Sequence, residues 1–167
     1  MIAFTPCKIN IGLHVTGKRS DGYHNIESLF YPVPLYDILE VIEDKEADAG
    51  SCRLSVSGLP IDADLNENLV TKAYRLLAGK YRLPSVQVHL HKVIPMGAGL
   101  GGGSSNGAYM LRLLNQKFEL GIEPPELIDY AACLGSDCPF FILNSPAIAR
   151  SRGEVLQKFP DILNGYW

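Results

Sequence analysis

No run of apolar residues in this chain approaches the roughly 20 that a helix needs to span a bilayer. The N-terminal Met-Ile-Ala-Phe-Thr-Pro-Cys-Lys has neither the basic nor the apolar block of an export signal. These two absences make a cytoplasmic location the expectation. Charge of either sign is not in excess: the formal net charge of -3 offers no overall attraction to nucleic acid or anionic lipid. An anionic ligand would have to be met by a local positive field. Cysteine is sparse and scattered. Cys7, Cys52, Cys133 and Cys138 include no Cys-x-x-Cys pair, which argues against structural zinc, and without an export signal a disulfide framework is not expected. Buried, reduced thiols are the expectation. Repeats, linkers and low-complexity segments are also lacking, so the 167 residues read as one domain with room for a core. Hydrophobic residues at 47% and charged residues at 20% exclude a disordered chain.

What is present is a periodicity that changes along the chain. Cys7, Ile9, Ile11, Leu13 and Val15 alternate with Lys8, Asn10, Gly12 and His14, the pattern of a half-buried strand. Lys8 and Asn10 thereby share its polar face. Lys18 to Gly22 reads as a turn, Asn25 to Val33 as a second strand, Tyr36 to Glu43 as a third and Arg53 to Ser57 as a short fourth. Leu69, Ala73, Leu76 and Leu77 recur at helical spacing within Asn66 to Tyr81, with Asn66 or Asn68 as N-cap. Val86 to Ile94 alternates again and stops at Pro95. Helices are expected from about Ser104 to Phe118 and from Pro124 to Leu134, the latter closing at Gly135. Pro139 to Leu143, Ala147 to Arg150 and Val155 to Phe159 read as strands, and Asn164-Gly165-Tyr166-Trp167 as the start of another. This order indicates an α+β layer rather than regular βαβ alternation. His89 and His91, two apart, are expected on an exposed strand face rather than as a metal pair.

Glycine is concentrated in one place. Pro95-Met96-Gly97-Ala98-Gly99-Leu100-Gly101-Gly102-Gly103-Ser104-Ser105 holds five glycines in the seven residues from Gly97 to Gly103. Such density is costly in a regular element, because glycine loses the most backbone freedom on folding. Bare backbone lets N–H groups approach a ligand, and the segment feeds a helix N-terminus whose donors and dipole favour an anion. Phosphate is the reading, with Ser104 and Ser105 as caps or as hydroxyls for phosphate or its cation. Gly97-x-Gly99-x-x-Gly102 formally matches the dinucleotide fingerprint, yet no following strand supplies an acidic residue for a ribose. No Lys-Ser or Lys-Thr follows the glycines, so the Walker A pattern fails. The absence of His-Arg-Asp and Asp-Phe-Gly sets protein kinases aside.

The loop resembles the phosphate loop of the GHMP kinases, with Ala98 where glycine is frequent. Three separated segments carry the same resemblance in order. They are Lys8-Ile9-Asn10-Ile11 through Val15-Thr16-Gly17-Lys18-Arg19-Ser20-Asp21-Gly22-Tyr23-His24, with Leu29-Phe30 and Asp37 after it; Asn66-Glu67-Asn68-Leu69-Val70; and Leu134-Gly135-Ser136-Asp137-Cys138-Pro139-Phe140-Phe141. They resemble the branch that acts on a cytidine diphosphate methylerythritol in non-mevalonate isoprenoid biosynthesis. The resemblance implies the α+β fold of a GHMP-kinase N-terminal domain: a mixed sheet packed on helices, with a left-handed βαβ crossover against the usual hand. It implies transfer of the γ-phosphoryl of ATP to an alcohol, with Mg2+ held mostly by phosphates and water.

By the same resemblance, Asp137 would accept the hydroxyl proton, and Lys8 beside it would supply positive charge and orient the hydroxyl. ATP would meet Pro95, Met96, Gly97, Ala98, Gly99, Leu100, Gly101, Gly102, Gly103, Ser104 and Ser105, with Asn68 and Lys92 around its base. Asn10 would bond methylerythritol hydroxyls; Tyr23 and His24 would receive the cytidine base by stacking and by a hydrogen bond. Members of the family continue into a second α/β domain. Residues 1–155 are therefore expected to form the nucleotide-binding domain and 156–167 to begin a second one, with little or no turnover from this length alone. Two other readings are a non-catalytic ATP-binding module and a kinase of another small alcohol such as homoserine. The presence of both Lys8 and Asp137 argues against the first, and Asp21-Gly22-Tyr23-His24 against the second. No nucleic-acid or membrane partner is expected.

Overall fold

The computed structural model describes residues 1–47, 50–62, 64–163 and 165. Two long strands, β1 (Ile2–Lys18) and β2 (His24–Glu43), pair antiparallel along nearly their whole length. Asp21 closes the turn between them by accepting from Arg19 Nε and from the Tyr23 N–H. The two strands expected over residues 25–43 are thus one. Pro34 and Leu35 fall where the register steps from Cys7–Val33 to Pro6–Tyr36, a bulge of the kind that accommodates proline in a strand.

The other edge of β2 is shared by two strands end to end. β4 (Val86–Lys92) pairs with residues 38–43, and β5 (Ala147–Ser151) with residues 26–30. β3 (Cys52–Gly58) runs parallel to β4, and β6 (Val155–Lys158) antiparallel to β5. The mixed sheet has the order β3-β4-β2-β5-β6, with β1 on the remaining edge of β2. The division expected between residues 155 and 156 falls within β6. Of the strand expected at Asn164–Trp167 only Gly165 lies within the described residues, and it is in a turn with φ 87°.

Helices cover one face of the sheet. α1 (Leu69–Ala78) begins at Asn68, whose side-chain oxygen accepts from the Val70 N–H, and α2 (Gly102–Lys117) packs beside it. A Cβ at Gly107 of α2 would stand 2.9 Å from Leu69 Cβ, so glycine permits the close approach. α3 (Pro124–Leu134) opens on its prolines and stops at Gly135. Residues 139–143, expected as a strand, belong instead to α4 (Cys138–Leu143). Adjacent Phe140 and Phe141 are both fully buried, which a strand with one covered face cannot arrange. The core joins Leu39, Val41, Val88 and Leu90 of the sheet to Tyr74, Leu77, Met110, Leu111 and Leu114 of the helices. Each such side chain contributes about 1.5–3 kcal/mol on burial.

β1 departs from expectation. Thr5 to Lys8 are buried, but Ile9, Ile11, Leu13 and Val15, expected on a half-buried face, are 37% to 62% exposed. The helices cover β1 only as far as Lys8. All four cysteines are free; Cys7 and Cys138 are buried as expected, whereas Cys52 is half-buried and Cys133 exposed. No helix among the described residues is long and apolar enough to cross a membrane.

Candidate active site

Where β4 ends, Asp37 of β2 takes over from the ladder. Its Oδ1 accepts from the N–H groups of Val93 at 2.7 Å and Ile94 at 2.8 Å. Its Oδ2 meets Lys92 Nζ at 2.5 Å and Asn106 Nδ2 at 3.0 Å, and Asn106 Nδ2 also donates to Thr5 Oγ1 at 2.8 Å. All four side chains are at most 2% exposed. One satisfied polar cluster thus ties β1, β2, β4 and α2 together beneath the glycine loop, and satisfied clusters of this kind rigidify. Lys92, expected around an ATP base, is placed otherwise: its ammonium is buried, and a buried ammonium needs its carboxylate.

The glycines of the loop answer to two different constraints. Gly97, Gly99 and Gly101 have φ of 73°, 74° and 70°, which strains any side chain. A Cβ at Gly101 would also meet Phe141 Cζ at 2.9 Å, and one at Gly102 would meet Ile94 Cγ2 at 2.9 Å and Lys92 Nζ at 3.2 Å. Packing from beneath, rather than the approach of a ligand, excludes side chains at these two. Gly103 is the opposite case. It is exposed, and nothing lies within 4 Å of its Cβ position. Residues 95–104 and Leu69 line an open depression of ≈ 230 Å³ at the N-terminus of α2, where free amides and the helix dipole favour an anion. In that first turn, Ser105 Oγ is buried with no hydrogen-bond partner among the described residues. Ser104 instead bonds the Cys138 thiol, which burial pushes up to about 12. Asn68 is committed through its Oδ1 to the α1 cap.

Lys8 joins this loop to the rest of the site. Its N–H donates to Leu100 O at 2.9 Å. Its side chain is 4% exposed and sets Nζ 3.4 Å from Asp137 Oδ2. The same Nζ lies 2.6 Å from Asn10 Oδ1 and 4.6 Å from the centre of the Phe30 ring. Asp137 precedes α4 without capping it, and its carboxylate stays 30% exposed. Lys8, Asn10 and Asp137, grouped from the sequence, therefore meet in space. Tyr23 and His24 do not touch them. Both are exposed at the β1–β2 turn, and the Arg152 guanidinium lies 5.3 Å from the Tyr23 ring. His89 lies on the exposed face as expected, bonded to Ser55 and Ser57, while His91 is half-buried beside Ser57. Among the described residues no group of three or more His, Cys, Asp or Glu side chains could hold a metal ion.

Residues 68–145 match the family described as GHMP kinases N terminal domain. Over those residues the chain is similar to the N-terminal domain of the GHMP kinases. It is 49% identical over 166 residues to the 4-diphosphocytidyl-2-C-methyl-D-erythritol kinase of Bacteroides thetaiotaomicron, covering 99% of this chain and 60% of that protein. It is also 49% identical to the enzyme of the same name from Porphyromonas gingivalis, over 96% of this chain and 58% of the relative. The chain thus spans about 60% of the length of these curated relatives. Among solved structures, a 4-(cytidine 5'-diphospho)-2C-methyl-D-erythritol kinase matches with a TM-score of 0.77 at 37% identity, over 95% of this chain and 55% of the other. The mevalonate kinase of Methanococcus jannaschii shares the fold, with a TM-score of 0.68 at 14% identity over 96% and 56% of the two chains.

Proposed function

We propose that the protein carrying this chain transfers the γ-phosphoryl group of ATP to a hydroxyl of 4-(cytidine 5'-diphospho)-2-C-methyl-D-erythritol, a cytoplasmic step of non-mevalonate isoprenoid biosynthesis. The observation that supports it is the Lys8–Asp137 pair, 3.4 Å apart and stitched by the Lys8 amide to the glycine loop. A module that only bound nucleotide would need neither charge. The names of the relatives supply the acceptor.

In this reading the ATP phosphates lie against Gly103 and the amides of the first α2 turn. The acceptor hydroxyl sits at Asp137, whose part-exposed carboxylate can be reached from solvent. Asp137 takes the hydroxyl proton as the oxygen attacks the γ-phosphorus. The new O–P bond forms while the bond from that phosphorus to the β-phosphate oxygen breaks, releasing ADP. Lys8 is held by Asn10, by Asp137 and over Phe30, so its ammonium is fixed before substrate arrives, and it orients the hydroxyl and offsets developing charge. Tyr23 and His24 receive the cytosine. We read residues 1–155 as the nucleotide-binding domain. Magnesium would accompany ATP, held mostly by the phosphates and water, since no group of three or more His, Cys, Asp or Glu among the described residues could hold it.

The test is steady-state phosphoryl transfer by the intact protein, with binding measured separately. Asp137→Asn keeps size and an acceptor oxygen but cannot take the proton. Its turnover should fall about a hundred- to ten-thousandfold, with ATP and acceptor affinities close to those of the unmodified protein. Lys8→Ala should lower turnover and acceptor affinity together. Near-normal turnover in Asp137→Asn would refute the mechanism.

A further inference from the structure

The β5–β6 turn lies between the reacting pair and Tyr23, and it carries a cation that the proposed chemistry does not use. At its reacting side, a Cβ on Gly153 would stand 3.4 Å from Asp137 Oδ1. At the other side, the preceding residue, Arg152, places its guanidinium 5.3 Å from the Tyr23 ring. The turn is braced from within. Ser151 Oγ donates to Glu154 Oε1 at 2.9 Å, the Arg152 N–H donates to Glu154 Oε2 at 2.8 Å, and Arg19 Nη1 donates to Ser151 Oγ at 3.1 Å.

This bracing occupies the Glu154 carboxylate and leaves Arg152 weakly paired. The closest approach of Glu154 to Arg152 Nε is 3.7 Å, and that nitrogen is buried without a hydrogen bond. The neighbouring Arg19 is, by contrast, fully engaged by Asp21, Asn25 and Ser151. An arginine whose backbone is fixed and whose guanidinium lies by an aromatic ring, but whose fork has no hydrogen-bond partner among the described residues, suits a two-pronged oxyanion.

We propose that Arg152 binds the diphosphate of the acceptor and so helps select a nucleoside-diphosphate-linked alcohol. The inference rests on the acceptor proposed above. Such a molecule has a base at one end, the alcohol at the other and two phosphoryl groups between. Arg152 stands between Tyr23, which faces the base, and Asp137, which faces the alcohol. Tyr23 is 55% exposed, so with Arg152 over the ring it still presents open surface to a base. The chain thereby keeps two polyphosphates apart, one on the glycine loop and one on the β5–β6 turn.

The experiment uses the intact protein with calorimetric titration of CDP, cytidine and ATP, together with acceptor kinetics. Arg152→Gln should weaken CDP binding roughly ten- to hundredfold, the range of one or two charge-assisted hydrogen bonds, while leaving cytidine and ATP affinities unchanged. Its KM for the acceptor should rise more than its kcat falls. Arg152→Lys, which keeps the charge without the fork, should recover part of the CDP affinity. A wild-type protein that prefers CDP to cytidine, with the preference intact in Arg152→Gln, would overturn this inference alone. Equal loss of cytidine and CDP binding in both variants would also overturn it, by showing that Arg152 only supports Tyr23. Wild-type protein that binds ATP but neither CDP nor cytidine would overturn the proposed acceptor and this inference with it.

Discussion

Gly102 and Gly103 are neighbours in the first turn of α2, yet they lack side chains for opposite reasons, and alanine at each should separate the two. Neither has a positive φ, so backbone strain does not enter. At Gly103 the new methyl meets nothing within 4 Å. Alanine there should stabilise the fold by roughly 0.5–1 kcal/mol, the gain from replacing a helical glycine. For a domain of this size that raises Tm by about 1–4 °C. At Gly102 the methyl would stand 2.9 Å from Ile94 Cγ2, 3.1 Å from Ile94 Cβ and 3.2 Å from Lys92 Nζ. Overpacking of this kind costs about 1–3 kcal/mol, which outweighs the helical gain and lowers Tm by several degrees. Affinity should run the other way. Gly103→Ala sets a methyl on the open face where the phosphates are proposed to sit, and its affinity for a non-hydrolysable ATP analogue should fall by at least about tenfold. Gly102→Ala should lose affinity only so far as the loop shifts. Thermal unfolding and calorimetry on the same two variants decide the matter. A stabilised Gly103→Ala with undiminished affinity would refute the phosphate placement, and an undisturbed Gly102→Ala would refute the account of packing beneath the loop.

Further outcomes follow from the pattern of burial. Asp37→Asn should keep acceptors for the Val93 and Ile94 amides but leave Lys92 unpaired at 2% exposure, a cost of about 3–5 kcal/mol in chemical denaturation. The double variant Asp37→Leu, Lys92→Met should be less destabilised than the sum of its single changes, and strict additivity would contradict the pair. Alkylation of the native chain with iodoacetamide, read by mass spectrometry, should mark exposed Cys133 first. Burial pushes the Cys52 thiol up to about 11 and that of Cys138 up to about 12, leaving little reactive thiolate. Early labelling of Cys138 would contradict the packing of α4 on α2.

Much of the candidate site was legible because its residues sit in motifs whose local chemistry is strong. The glycine run could only be a loop feeding a helix, Asn68 could cap α1, and Pro124 with Gly135 bounded α3. What could not be read depended on partners remote in the chain. Five apolar residues from Pro139 to Leu143 suit a buried strand or a buried helix equally by pattern, and only the packing of both Phe140 and Phe141 decides for helix. Alternation along β1 shows that Ile9, Ile11, Leu13 and Val15 share a face, but not that the helices stop short of it. The continuity of β2 depends on the register opposite Pro34, which no local signal states. Arg152 and Gly153 belong to no quoted motif, and the site draws on them only because β5 pairs with the far half of β2.

Lys92 is the most instructive misplacement, since the sequence did contain the information that corrects it. Val86, Val88, Leu90 and Lys92 occupy one phase of β4, and the first three face the core. Asp37, Leu39 and Val41 likewise occupy the covered phase of β2. A lone lysine on the core-facing phase of one strand cannot stay charged there unaided, and neither can a lone aspartate on the same phase of another, since an unpaired buried charge costs far more than folding can offset. Each therefore predicts the other as its partner, and with it the adjacency of β2 and β4. The pairing register carries that argument through: Ile38 stands opposite His91, which brings the next residues, Asp37 and Lys92, together at the point where β4 ends and the loop begins. The charge that a motif reading sends outward to a ligand is held inward by alternation, and from there it fixes the entry to the loop on which the proposed phosphates depend.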